Sequence, residues 1–144
     1  MTVPRIGENP NCLPLAAMPS AARLAREYVA QRLKLYDQAH LAPTANIITS
    51  ELVTNAVKAV GIVEERVDWA KAWGKLRTIA VCCYGDSGYA VIEVWDGDPQ
   101  PPRLKRPTET DEGGRGLLLV EALAERWGYR WPKTGGKVVW CVLK

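Results

Sequence analysis

From Ala21 the apolar positions Ala25, Val29, Leu33 and Tyr36 recur at three- and four-residue steps, with Arg23, Arg26, Arg32 and Lys34 lying mostly between them. This spacing predicts an amphipathic helix, and Ser20 stands before it as a capping residue. A second stripe, Ala45, Ile48, Leu52, Ala56 and Ala59, follows Pro43 and Thr44 and runs until Gly61, predicting a second helix. Glu51 and Asn55 each precede a stripe residue by one position, so they lie about 100° around from it, at the margin of the apolar face. The pattern changes at Thr78. Segments 78–84 and 89–96 are rich in Val, Ile, Cys and Tyr and are joined by Gly85-Asp86-Ser87-Gly88, a hairpin signature. In the second of these strands Ala90, Ile92, Val94 and Asp96 share one face, so an acid ends an otherwise apolar row.

The stretch 97–112, with prolines at 99, 101, 102 and 107, reads as a loop. Gly113-Gly114-Arg115-Gly116 then leads into a helical run over 117–124, which Gly128 is expected to end. Segments 129–131 and 137–143 predict a last pair of strands around Gly135-Gly136. Residues 62–77 are polar, with a short helix expected around 68–73. Residues 1–19 carry four prolines and no sustained periodicity, and are expected to form an irregular N-terminal arm before one domain over 20–144.

Composition narrows the function classes. A chain of 144 residues fits one domain, and 47% hydrophobic residues suffice to bury a core. The net charge of +3 is mild and both signs are interspersed, as in Arg26, Glu27, Arg32, Lys34 and Asp37, so no direct nucleic-acid partner is expected. No stretch reaches the roughly 20 apolar residues of a membrane span. The apolar fragment 13–18 is broken by Pro14 and preceded by Glu8, unlike a signal peptide. Cys12, Cys82, Cys83 and Cys141 form no C-x-x-C pair, and all four are read as reduced thiols of a cytoplasmic protein. His40 is the single histidine and is read as structural or exposed.

Three polar features stand out in this apolar framework: a helix bearing Glu51 and Asn55, a strand ending in Asp96, and a glycine loop opening a helix. Singly, each is more often a solvated face or a turn. Their order and spacing together carry more. Thr49-Ser50-Glu51-Leu52-Val53-Thr54-Asn55-Ala56-Val57, Val94-Trp95-Asp96-Gly97-Asp98-Pro99, Gly113-Gly114-Arg115-Gly116-Leu117 and Gly135-Gly136-Lys137-Val138-Val139-Trp140 together resemble the histidine-kinase-like (GHKL) ATPases. Within these the chain looks closest to the RsbW/SpoIIAB-like anti-sigma serine/threonine kinases of the actinobacterial type, over nearly its whole length from Pro19.

The resemblance implies a two-layer α/β sandwich of the Bergerat type, a mixed sheet with helices on one face, binding ATP and Mg²⁺. It implies that Glu51 is the catalytic base toward an acceptor hydroxyl or a water, and that Asn55 holds the Mg²⁺. Asp96 would accept a hydrogen bond from the adenine amino group. Lys58, Gly97, Pro101, Gly113, Gly114, Arg115, Gly116 and Leu117 would complete the ATP site with Asn55 and Asp96, the glycine loop admitting the phosphates to backbone N–H groups. Arg115 either pairs with phosphate or faces solvent. The implied partners are a STAS-class antagonist, phosphorylated on serine or threonine, and a sigma factor regulated by partner switching; the alternative is a catalytically weak or inactive switching module. A homodimer is also implied, with the region of Trp69 and Trp73 as a contact surface if exposed. The chain departs from the family where Asp98 and Gln100 replace glycines, where Ala59 stands in place of a common histidine, and where Val138 stands in place of a supporting threonine.

Overall fold

A computed structural model describes residues 11–64, 66, 68–72, 74–102 and 115–144, with Arg115 described in its backbone alone. The elements are β1 (Cys12–Ala16), α1 (Ala21–Leu35), α2 (Ala42–Val60), α3 (Trp69–Ala72), β2 (Thr78–Asp86), β3 (Tyr89–Asp96), α4 (Arg115–Leu123), β4 (Arg126–Arg130) and β5 (Lys137–Leu143), with a 3-10 turn at Ala39–Leu41 before α2. The five strands form one sheet in the order β1-β2-β3-β5-β4. Every pairing is antiparallel, so the sheet is not the mixed one expected.

Register sorts the side chains onto two faces. Ile79, Val81 and Cys83 of β2, Ala90, Ile92 and Val94 of β3, and Val139, Cys141 and Leu143 of β5 project to the helical side and join one core. α1 buries a single narrow row, Ala21, Ala25, Val29 and Leu33. α2 buries a broader one, Ala45, Ile48, Thr49, Leu52, Val53, Ala56 and Val57, because α1, α4 and β3 all contact it. Such a wide stripe marks a helix enclosed on more than one side. Ala59, placed in the buried stripe by periodicity, is exposed in the last turn. Ser20 occupies the N-cap position of α1, but its backbone is already helical and its side chain makes no capping hydrogen bond.

Several expectations are corrected. Cys12–Ala16 is a strand rather than part of an irregular arm; it lies at the end of the sheet, where Pro14 is tolerated because an edge strand can forgo a ladder donor. Cys12 pairs directly with Cys82 across β1 and β2, and the two form a disulfide 70 residues apart in sequence. The reading of four reduced thiols is therefore wrong for two of them, and one premise of cytoplasmic placement goes with it. Cys83 and Cys141 are free and buried. Among the described residues no helix is long and apolar enough to cross a membrane.

Gly128 does not end α4. It sits inside β4 opposite Trp140, where a Cβ would come within 2.7 Å of the indole ring. Glycine is there because the ring lies over it, not because a helix stops. The short helix α3 carries Trp69, which is about half exposed, while Trp73 lies outside the described residues. His40 is exposed, as read.

Burial pushes the Cys83 thiol up to about 11 and the Cys141 thiol up to about 12, so neither forms an appreciable thiolate near neutral pH. A thiol-reactive dye at pH 8 is expected to find no reactive thiol in the native protein, two after unfolding and four after unfolding with reduction. Four without reductant would contradict the disulfide. Cys12→Ser is expected to lower stability to urea by about 2–4 kcal/mol. Gly128→Ala should cost about 1–3 kcal/mol through the clash with Trp140, and an unchanged urea midpoint would show that the ring moves aside freely.

Candidate functional site

One cleft opens between α2 and the ends of β3 and β5, with a volume of about 260 Å³. Its α2 wall is Leu52, Asn55, Ala56, Lys58 and Ala59; its floor is Val94 and Asp96 of β3 with Lys137 and Val139 of β5. Leu117 of α4 closes one end, and Asp98, Gln100, Pro101 and Pro102 form a lip. The cleft is thus mostly apolar with a few convergent polar groups, the usual make-up of a small-molecule site.

Asp96 is the last residue of the apolar row in β3, so the period of two carries its carboxylate inward. It is 3% exposed. Its Oδ1 accepts hydrogen bonds from Lys137 Nζ at 2.9 Å and from the Asp98 backbone N–H at 2.8 Å. Lys137, directly opposite Asp96 in the β3–β5 register, also donates to the Asp98 carbonyl at 2.9 Å. Burial pushes the Asp96 carboxyl above the ordinary range, against the lowering pull of Lys137 and of the Asp98 N–H.

The lip has its own local logic. Asp98 Oδ1 accepts from the Gln100 backbone N–H at 3.0 Å, repeating the Asp96–Asp98 pattern two residues on. Consecutive Asx turns of this kind bend the chain with side-chain acceptors in place of glycine flexibility. Asp98 and Gln100 therefore stand where glycines were expected without opening the floor of the cleft.

Glu51 lies one helical turn before Asn55 on α2, outside the cleft lining and against the first turn of α4. Its carboxylate fills the space that a Cβ on Gly116 would take, with Glu51 Oε2 and Cδ the nearest atoms. Glycine at 116 thus lets the α4 backbone approach a carboxylate, and the partial positive charge at a helix N-terminus favours that neighbour.

Of the residues singled out from sequence, Asn55, Lys58, Asp96, Pro101 and Leu117 meet in the cleft, and Glu51 and Gly116 meet beside it. Gly97 does not join them: it is exposed and lines a neighbouring depression with Val60, Arg77, Thr78 and Trp95. Gly113 and Gly114 lie outside the described residues, as does the Arg115 side chain. Val138, which stands in place of a supporting threonine, pairs with Trp95 and Arg130 on the face turned away from the helices. The residue that faces Asp96 is Lys137, which the sequence reading passed over. The signal was present: Lys137 shares parity with Val139, Cys141 and Leu143, so a lysine heads an inward apolar row. Among the described residues no three His, Cys, Asp or Glu side chains cluster as metal ligands.

A 44-residue stretch is 52% identical to a Streptomyces coelicolor protein described as "Uncharacterized protein SCO4941"; the match covers 29% of this chain and 42% of that protein. A model of the histidine kinase-like ATPase domain matches residues 14–143, from within β1 to the end of β5. That match embraces both walls of the cleft, the buried carboxylate on its floor and the α2–α4 contact, and the chain belongs to the histidine kinase-like ATPase domain family.

Proposed function

We propose that the chain binds ATP in the α2–β3–β5 cleft and acts as an anti-sigma-type serine/threonine protein kinase. Its substrate would be a serine or threonine of a STAS-class antagonist protein, and its output the regulation of a sigma factor by partner switching. The observation that carries the reading is the one-turn spacing of Glu51 and Asn55 on a rigid, enclosed helix, with Asn55 in the cleft and Glu51 against α4.

In the transfer, the acceptor hydroxyl oxygen attacks the γ-phosphorus, the bond to the β–γ bridging oxygen breaks, and ADP leaves. Glu51 takes the hydroxyl proton as the new P–O bond forms. Asn55 offers one neutral oxygen at the cleft wall. That fits Mg²⁺, which keeps water and phosphate oxygens as most of its ligands and needs few from the protein. Bound there, the ion would offset charge on the phosphate chain. Asp96 and the apolar residues Leu52, Ala56, Val94 and Val139 would hold the base, and the N-terminal turn of α4 would face the phosphates.

A second reading, a partner-switching module with weak or no catalysis, is favoured by one observation: Asp96 Oδ1 is already engaged by Lys137 and Asp98.

Glu51→Gln is expected to leave ATP affinity within about twofold while reducing phosphate transfer to a candidate STAS-class protein by at least about 100-fold, the usual scale of a lost general base. Calorimetry with ATP and Mg²⁺ and a radiolabel transfer assay read the two separately. Transfer at the wild-type rate in Glu51→Gln would refute the base assignment. ATP binding without transfer in the wild-type protein would favour the second reading.

A further inference from the structure

Lys137 is 5% exposed, at a position in β5 whose inward neighbours Val139, Cys141 and Leu143 are all apolar. A buried ion pair such as Lys137–Asp96 is a weak source of stability, because desolvation offsets most of the attraction and a well-packed apolar pair often serves as well. Its presence on the floor of the cleft therefore calls for a role in what the cleft holds.

The hydrogen-bond inventory supplies one. An ammonium has three protons; two go to Asp96 Oδ1 and the Asp98 carbonyl. Among the described residues the third has no acceptor, and no donor reaches Asp96 Oδ2. Both side chains line the cleft. The floor thus carries one unused donor beside one unused acceptor, held side by side by the direct β3–β5 register.

We propose that Lys137 is a base-reading residue: its Nζ donates to adenine N1 while Asp96 Oδ2 accepts from the adenine 6-amino group. The inference rests on the reading of the cleft as an ATP site and adds a second, charged contact to base selection. Adenine presents an acceptor at N1 next to a donor at its 6-amino group, complementary to this pair. Guanine presents a donor at N1 and an acceptor at O6, so in the same orientation both its groups meet the wrong partner. Two opposed contacts in a buried site discriminate more sharply than one missing contact, since each leaves a buried polar group unpaired.

The test compares ATP, 1-deaza-ATP, in which ring N1 is replaced by C–H, and 7-deaza-ATP, binding to the wild-type protein in calorimetry. A hydrogen bond from a charged donor predicts about tenfold or greater weakening with 1-deaza-ATP and affinity close to that of ATP with 7-deaza-ATP. In Lys137→Met the ratio of ATP to 1-deaza-ATP affinity should fall to within about twofold, since the lost partner can no longer tell them apart. Equal wild-type affinity for ATP and 1-deaza-ATP, or equal weakening by both deaza analogues, would overturn the inference while leaving the ATP site standing. Tighter ATP binding by Lys137→Met would also overturn it, by showing that the ammonium competes with the base. No binding of ATP by the wild-type protein would overturn the reading of the cleft itself, and the inference with it. The wild-type comparison decides the matter even where Lys137→Met does not fold.

Discussion

The enclosure of α2 is the constraint on which the rest of the molecule depends. α1, α4 and the sheet all contact it, and its buried positions run in adjacent pairs, Ile48 with Thr49, Leu52 with Val53, Ala56 with Val57. A helix held on several sides has no freedom to rotate about its axis without burying polar groups or exposing apolar ones. Glu51 and Asn55 occupy the narrow margin between those contacts. Their directions are therefore set by packing throughout the domain rather than by anything local to the cleft, which is the kind of support a positioned functional group needs.

A second constraint acts across the sheet. The antiparallel register of β3 and β5 sets Asp96 against Lys137, and the hydrogen bonds to Asp98 tie the chain leaving β3 to the same pair. The pair joins the two strands at the point where the core gives way to the lip. The core cluster beneath it is apolar, and this buried pair ends the rows of β3 and β5 that face the helices. The cleft lies where these two regimes meet, with Leu52, Ala56, Val94 and Val139 on one side of the boundary and Asp98, Gln100 and Pro101 on the other.

Much of this was legible in the residues. The i, i+4 rows located α1 and α2, the alternation in 89–96 turned Asp96 inward, and the margin positions of Glu51 and Asn55 followed from the 100° step per residue. What periodicity could not reveal were relations between distant segments. β1 escaped notice because Pro14 and a short length hide alternation, and with it went the Cys12–Cys82 bond, which exists because register brings two residues opposite each other. Gly128 looked like a helix stop because its true reason, the Trp140 ring, lies twelve positions on and is brought over it by register. Val138, noted as a departure from a supporting threonine, faces away from the helices, and the inward residue is its neighbour Lys137. In a strand a one-residue error changes the face.

Pro14 shapes the rim of the sheet as well as its first strand. Cys83 N–H donates to the Asn11 carbonyl, so Asn11 and Cys83 form a hydrogen-bonded pair, and alternation makes Cys12–Cys82 and Pro14–Ala80 the non-bonded ones. Pro14 nitrogen consequently points away from β2, toward the outer rim, where it offers no proton. A strand arriving from another molecule would find the row of donors interrupted midway along a five-residue edge, beside a covalent cross-link that holds the strand to its neighbour. The flank that begins the sheet is thereby a poor template for its continuation, and intermolecular sheet growth is discouraged at the end where the chain first enters the fold.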